Sequence, residues 1–212
     1  MLLPVLRATG RRLIEHPRIA ALYPEYLITM HGVIRASVPL METALARAER
    51  EGDDPVCAQL AEYLEEHIPE EHDHDEWLLQ DLEVLGVERS SVLTRAPSST
   101  AAALVGAQYY WIHHYHPVAL LGYISLLEGY PPVQEDVEEL IERTGYPREA
   151  FRTLAGHAEL DLGHRDELNA AIDALPLTEQ QAALLARNAL YTVHMTTRVF
   201  TEVIDRADTA TL

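Results

Sequence analysis

The sequence is poor in cysteine, in basic residues and in long apolar runs, and each shortage argues against a class of protein. A single cysteine, Cys57, excludes an internal disulfide and is typical of a reducing compartment. Lys and Arg number 16 against 34 Asp and Glu, and the resulting charge of −18 argues against nucleic acid or an anionic membrane surface as a partner. The longest apolar run, 117–127, is too short to span a bilayer.

The N-terminal stretch MLLPVLRATGRRLIEH places its charges after its apolar residues, which is the reverse of a secretory signal. This order and the lone cysteine lead us to expect a cytoplasmic protein. A homodimer is possible, since two-fold dimers are the commonest assembly of proteins that associate.

Alternating β-branched runs are scarce as well, and proline, glycine and capping residues divide the chain into segments of helical length. We predict helices at about 4–15, 24–50, 55–85, 98–129, 132–144, 147–174 and 179–206. Pro39, Pro69 and Pro117 lie inside three of them and should kink them. Seven helices without a sheet predict an all-α bundle, a single domain over residues 1–212.

Two stretches repeat one pattern of candidate metal ligands, with two histidines and a carboxylate at positions i, i+4 and i+7. They are His67, Glu71 and His74 in HIPEEHDH, and His157, Asp161 and His164 in HAELDLGH. On a helix these positions share one face. Imidazole and carboxylate together suit Fe, Mn, Zn or Cu. Two such stripes facing each other would hold two metal ions.

Helical bundles that hold two irons use a further Glu from each of two other helices. Glu128 ends the apolar run of LLGYISLLEG, where a negative charge opposes the helix dipole, so a bound cation explains it better. Glu42, in SVPLMETAL, is a second candidate, with His31 about three turns earlier and near the same face. A solvated helix residue is an equally good interpretation of Glu42.

Aromatic residues and histidines crowd the helix that leads to Glu128. The candidates for a substrate pocket are Tyr109, His113, His116 and Tyr123. Core packing or exposure to solvent is the competing interpretation for each of them.

The sequence resembles the heme-oxygenase-like diiron oxidases and oxygenases, a family of iron-containing redox enzymes. The matching segments are EEHDHDEWLLQDLEVLG, HHYHPVALLGYISLLEG and HAELDLGH, and the resemblance covers roughly residues 25–170. It implies a seven-helix heme-oxygenase-like fold and two non-heme irons, with O2 as co-substrate. The ligands that it implies are His74, Glu128, His157, Asp161 and His164. Glu71 is the first-stripe carboxylate that we favour, although one offset used in the family is occupied here by His67.

The resemblance implies oxidation of an amino-acid-like or fatty-acid-like small molecule by N-oxygenation, desaturation or C–C cleavage. Two alternatives remain open at this point. One is a metal-binding or metal-storage helical protein, which would use the same types of ligand. The other is a heme-dependent or cofactor-independent relative on the same fold, because fold does not fix function.

Overall fold

The chain folds into consecutive helices joined by short connections. The computed structural model describes residues 2–130 and 132–209, and the side chains of 159–162 and 207 lie outside this description. The α-helices are α1 (Leu2–Ile14), α2 (Ile19–Ile34), α3 (Ser37–Arg50), α4 (Pro55–Glu71), α5 (His74–Val84), α6 (Arg89–Thr94), α7 (Ser99–His114), α8 (Leu120–Leu127), α9 (Gln134–Thr144), α10 (Arg152–Ala174) and α11 (Glu179–Thr209). Two 3₁₀ turns, Pro117–Ala119 and Arg148–Phe151, precede α8 and α10. No strand occurs in the described ranges, so the all-α prediction is confirmed.

All seven predicted segments are helical, but three of them are divided, two of them near Pro39 and Pro117 and the third at 72–73, whereas Pro69 lies inside α4. The 24–50 segment begins earlier, at Ile19, and divides at 35–36, so that Pro39 lies in the first turn of α3. A first-turn proline lacks an N–H that would have no helical partner anyway. The 98–129 segment divides just before Pro117 for the same reason. Pro24, expected in a first turn, lies inside α2 instead.

The third division, at 72–73, separates α4 from α5. Asp73 has a φ of 69°, the left-handed conformation that aspartate tolerates better than most residues. Glu71 is the last residue of α4 and His74 is the first residue of α5. The first ligand stripe therefore does not lie on one continuous helix.

Short polar side chains begin several of the helices. Asp54 accepts a hydrogen bond from the Val56 N–H at 2.8 Å and caps α4. In the predicted capping box of α11, Gln181 Oε1 accepts from the Thr178 N–H at 2.9 Å, and Thr178 Oγ1 accepts from the Gln181 N–H at 3.3 Å. These caps set where the helices begin and so fix the register of their buried faces.

Two apolar clusters form the core. One lies among α3, α4, α7, α8 and α11, and the other among α1, α2, α5, α9 and α11. The long α11 packs along both, and Gly122 of α8 lets it approach closely, because a Cβ there would lie 2.5 Å from the Leu185 carbonyl oxygen. Within the described ranges, no helix is long and apolar enough to cross a membrane.

Candidate metal centre

The break at Asp73 places the first ligand group around a helix junction. Glu71 and His74 are both buried, and His74 Nδ1 lies 3.0 Å from Glu71 Oε2. The left-handed turn between them keeps these two side chains in contact although they lie on different helices. Strained backbone of this kind is often found at functional sites.

His67 and Glu128 form the second buried contact. His67, one turn before Glu71 on α4, has its Nε2 3.1 Å from the Glu128 carboxylate at the end of α8. A Cβ on the next residue, Gly129, would collide with the carbonyl oxygen of Ser125. Ligand atoms of His67, Glu71 and Glu128 all lie within 4.8 Å of one another. The arrangement is therefore a compact cluster of one imidazole and two carboxylates.

Helix α10 brings His157 and His164 against this cluster. The His157 ring lies 4.9 Å from the His74 ring, and the His164 ring lies 5.3 Å from the His67 ring, measured between centroids. His164 Nδ1 is 3.6 Å from Glu71 Oε1. The side chain of Asp161 lies outside the described part of the structure. Of the six residues first assigned as ligands, five are thus brought together, and His67, a weaker candidate, joins them.

The tautomer of His157 is set by its backbone partner. Its Nδ1 lies 2.8 Å from the Thr153 carbonyl oxygen, which can only accept, so Nδ1 carries the proton. The lone pair of Nε2 is then available to a metal. A ligand histidine held in this way by a carbonyl is a common feature of metal sites.

The buried charges shift each other's pKa values. Burial alone would lower the pKa of His67, but the hydrogen bond and charge of Glu128, with further carboxylates, raise it to about 9. Burial raises the pKa of Glu128, and its contact with His67 offsets only part of that effect. Burial also works to raise the pKa of Glu71, but the His74 hydrogen bond and the nearby imidazoles lower it overall. Burial lowers the pKa of His157, which favours its neutral form.

Several other candidates are not brought into the cluster. Glu42 is exposed on α3, as its competing interpretation held, and His113 is exposed on α7. Tyr109 stacks on His113, with ring centroids 6.4 Å apart, rather than lining a pocket. His31 is buried on α2, which packs against α5, and it is absent from the cavity wall described below. His31 and Glu42 lie on different helices, and one is buried while the other is exposed, so they are not brought together as ligands.

His116 belongs to a separate polar network. Its Nδ1 accepts the Val118 N–H at 3.1 Å, so the proton of a neutral ring lies on Nε2, which donates to Asp54 Oδ2 at 3.2 Å. Cys57 Sγ lies 3.5 Å from the same Nε2, and Glu51 approaches the thiol at 3.9 Å. These side chains are close enough to resemble a metal site, but the Nε2 proton occupies the position that a metal would need. Gln181 of α11 also donates to Asp54 Oδ2, at 3.3 Å, so the network joins the starts of α4 and α11 to the 3₁₀ turn before α8.

A largely apolar cavity of about 820 Å³ reaches the cluster. Glu71, Glu128 and His157 form part of its wall, and so does Tyr123, one of the predicted pocket residues. The rest of the wall is mainly aliphatic and aromatic, and it includes Leu13, Leu27, Ile34, Leu120, Leu140 and Phe200. Cavities of this size accommodate small-molecule ligands.

Three residues of the site were missed in the sequence. Tyr63 stacks on His67 with centroids 5.1 Å apart, and Trp77 lies 4.4 Å from the His74 ring. Helical spacing could have identified both, since each lies three or four residues from a ligand. Asp81 accepts the Thr153 N–H at 2.9 Å and so caps α10 from α5, a contact that no local spacing predicts.

A family model for iron-containing redox enzymes matches residues 25–196. The chain belongs to this family. No curated protein matches it.

The fold of this iron-containing redox enzyme family member is heme-oxygenase-like. A Shewanella denitrificans domain of unknown function with that fold superposes with a TM-score of 0.81 at 18% identity, covering 98% of this chain and 89% of its own. A TenA homolog from Pseudomonas syringae pv. tomato gives 0.70 at 14% identity, covering 96% and 91%. A CADD-like protein of unknown function from Nostoc punctiforme gives 0.67 at 17% identity, covering 97% and 98%. Likeness at such low identity establishes the fold alone.

The donors of this family member fit the iron that the family name implies. Among the residues that the structure describes, Glu71 Oε1 and Glu128 Oε2 are buried and accept no well-aligned hydrogen bond, and imidazole nitrogens of His164 and His67 lie 3.6 and 3.1 Å from them. A buried carboxylate oxygen without a well-aligned hydrogen bond is costly, and a cation bound by these oxygens and the neighbouring imidazoles would relieve this cost. Imidazole and carboxylate together are the donors that non-heme iron prefers.

Proposed function

We propose that this protein is a non-heme diiron oxidase or oxygenase that uses O2 to oxidise a small, largely apolar molecule. The observation that carries the proposal is the convergence of imidazoles and buried carboxylates at the wall of a largely apolar cavity. Histidines with carboxylates at the core of a helical bundle are the ligand set of dinuclear iron proteins. The family match supports iron and redox chemistry in general.

The ligands that we assign come from four parts of the fold: α4, the start of α5, the end of α8, and α10. They are His67, Glu71, His74, Glu128, His157, Asp161 and His164. Two irons bound there would activate O2 and accept electrons from the substrate. The protein contributes fixed ligand directions and a largely apolar cavity.

Two neighbouring contacts prepare the ligands for this role. The Thr153 carbonyl holds the His157 ring with Nε2 free to bind, since it accepts the Nδ1 proton. The contact of His67 Nε2 with the Glu128 carboxylate, at 3.1 Å, holds these two side chains together, and a metal ion that binds His67 displaces the proton that its raised pKa keeps there.

The cavity favours a fatty-acid-like substrate over an amino-acid-like one. Most of its wall is aliphatic or aromatic, and a charged amino acid would leave its polar groups without partners there. Among the arginines on the wall, Arg11 is already bound by Asp136 and Glu139, at 3.0 and 2.9 Å, and Arg165 is paired with Asp166 at 3.3 Å. Arg7 packs over the Tyr130 ring at 5.7 Å and is the side chain that we assign to an anionic head group.

The geometry supports the two alternatives less well. A heme relative needs a histidine directed into a heme-sized pocket, but His31 is absent from the cavity wall, and the cluster imidazoles lie against carboxylates. A storage protein needs ligands but no substrate cavity, whereas this cluster opens onto about 820 Å³ of apolar space.

Anaerobic titration with Fe(II) tests the metal assignment. We expect about two irons per chain and no Soret band after air oxidation. Glu128→Ala and His157→Ala should each lose at least one iron, because each removes a buried ligand. Glu42→Gln is the matched control, since that exposed carboxylate should not affect binding.

Oxygen consumption by the iron-loaded protein then tests the reaction. Medium-chain carboxylates should accelerate O2 uptake more than the free amino acids do. Absence of tight iron binding, or iron bound without O2 uptake for any candidate of either class, would contradict the proposal. Iron retained in large excess over two per chain would favour storage instead.

A further inference from the structure

The sequence contains two tryptophans, and one of them, Trp77, contacts two of the assigned ligands. Its ring centroid lies 4.4 Å from that of His74 and 6.1 Å from that of His157. Both histidine rings are therefore within van der Waals reach of one indole. The indole packs beside this pair of candidate metal ligands, whose own ring centroids are 4.9 Å apart.

The facing helix is shaped to receive this indole. A Cβ on Gly156 of α10 would lie 3.3 Å from Cζ3 of Trp77, a distance tighter than most Cβ contacts. Glycine in a helix interior costs up to about 1 kcal/mol relative to alanine, so its presence beside the ring calls for a packing reason. The missing side chain lets Trp77 lie against α10 next to His157.

The other side of the indole faces the protein surface. Trp77 is half-buried, and the exposed Arg152 places its guanidinium 5.4 Å over the ring. The indole thus extends from the ligand histidines to the solvent boundary. Tyr63 stacks on His67 in a comparable way, but its hydroxyl is buried, so Tyr63 does not connect His67 to the protein surface.

We propose that Trp77 is the electron-relay residue of the iron site, through which single electrons pass between an external donor and iron. The inference rests on the diiron function proposed above. An external one-electron reductant loses one electron, and one Fe(III) gains it and becomes Fe(II). No bond forms or breaks, and the indole is unchanged at the end. Its delocalised π-system supplies the electronic contact between the surface and the ligand rings.

Stopped-flow reduction of the ferric protein tests this relay. Protein loaded with Fe(II) and oxidised in air is mixed anaerobically with reduced methyl viologen, and the loss of ferric absorbance is followed. We expect Trp77→Leu to reduce several-fold more slowly than the parent protein, with Trp77→Phe between the two because it keeps an aromatic ring. Trp111→Phe is the matched control, since Trp111 lies on α7 against Tyr115, with centroids 5.3 Å apart. It should leave the rate unchanged.

Iron content and fluorescence separate the relay from a structural role. Iron per chain is measured in every variant, and the rates are compared at equal content. In Trp111→Phe, the remaining Trp77 emission should be quenched by Co(II) but not by Zn(II), which has no absorption to accept the excitation. Equal reduction rates in all variants at full iron content would overturn the relay and leave the diiron proposal standing. Failure of the parent protein to bind iron would overturn both.

Discussion

His67 and Glu128 lie 61 residues apart in the chain, yet the imidazole Nε2 of one is 3.1 Å from the carboxylate of the other inside the protein. The contact joins α4 to the end of α8. The contact also places the nitrogen donor of His67 at a position where members of the family can carry a carboxylate ligand. A metal ion that binds His67 must therefore compete with the proton that the contact with Glu128 favours on the imidazole.

We expect Fe(II) binding to strengthen as pH rises toward 9. The pKa of His67 is raised to about 9, so the ring is protonated at neutral pH and must release a proton to bind metal. For one displaced proton, the apparent affinity falls by up to about tenfold per pH unit below that value. The lowered pKa of His157 keeps that ring neutral in the same range, so it adds no competition.

Calorimetric titration in buffers of different protonation enthalpy measures the released protons directly. Release should be close to one proton per chain at neutral pH and should largely vanish in His67→Gln, which cannot carry the proton. Binding without proton release in the parent protein would show that His67 is neutral, or that it does not bind the metal.

Gly122→Ala should destabilise the protein through the contact of α8 with α11. The added Cβ would lie 2.5 Å from the Leu185 carbonyl oxygen and 2.7 Å from the Ala189 nitrogen, both rigid backbone atoms. Forcing helices apart in this way costs about 1–3 kcal/mol. Gly106→Ala is the control on α7, because its Cβ would meet no atom within 4 Å and alanine should stabilise that helix by up to about 1 kcal/mol. Chemical denaturation of both variants measures the difference, and equal stabilities would contradict the close approach.

Asp81→Ala and Asp81→Asn should differ sharply. Asp81 is fully buried and accepts the Thr153 N–H, so the alanine variant leaves that donor unsatisfied at a cost of about 1–3 kcal/mol. The asparagine oxygen can still accept this bond without a buried charge.

The pH dependence of these variants has a definite sign. Burial raises the pKa of Asp81 in the folded protein, so ionisation costs stability as pH rises from the unfolded-state pKa through the folded-state pKa. Asparagine should therefore match or exceed the stability of the parent protein at neutral pH, and this advantage should disappear in acid. Chemical denaturation of both variants at several pH values tests this prediction. A loss of stability in Asp81→Asn as large as that in Asp81→Ala would show that the charge itself is needed.

Tyr63→Phe should leave the unloaded protein as stable as before, or more stable by about 1 kcal/mol. Among the described residues, the buried Tyr63 hydroxyl has no hydrogen-bond partner, so its removal deletes an unsatisfied group while the stack on His67 remains. Tyr63→Ala removes the ring as well and should cost about 3–5 kcal/mol, in the range of large aromatic truncations. Thermal unfolding of the two variants checks this. A marked loss of stability in the phenylalanine variant would mean that the hydroxyl is bonded in solution.

The helical segments were predictable from the sequence because their boundaries are local. Asp54 with Pro55, and Thr178 with Gln181, act within one turn of the chain and behave as their residue types predict. The division at Asp73 was not predictable. A left-handed aspartate depends on tertiary contacts that hold Glu71 and His74 together across the turn.

The candidate site, too, was predictable from the sequence only where it depends on local spacing. Spacing identified the residues that share a helix face, such as His157 and His164. It gave no reason to prefer Glu128 over Glu42, except that the former opposes a helix dipole, and only the tertiary structure shows one buried and the other exposed. The tertiary cap from Asp81 to α10 joins residues 72 apart, which no local pattern encodes.

The network around Cys57 keeps the only thiol of the sequence in a form that reacts slowly with oxidants. The thiol is fully buried, and burial together with Asp54 and Glu51 raises its pKa to about 11. At neutral pH only about one molecule in ten thousand then carries the thiolate, the form that peroxide and alkylating agents attack. A chain that held redox-active iron would thus carry its one sulfhydryl in a nearly inert state. Handling without added thiols, which chelate and reduce iron, should therefore not cause disulfide-linked dimers.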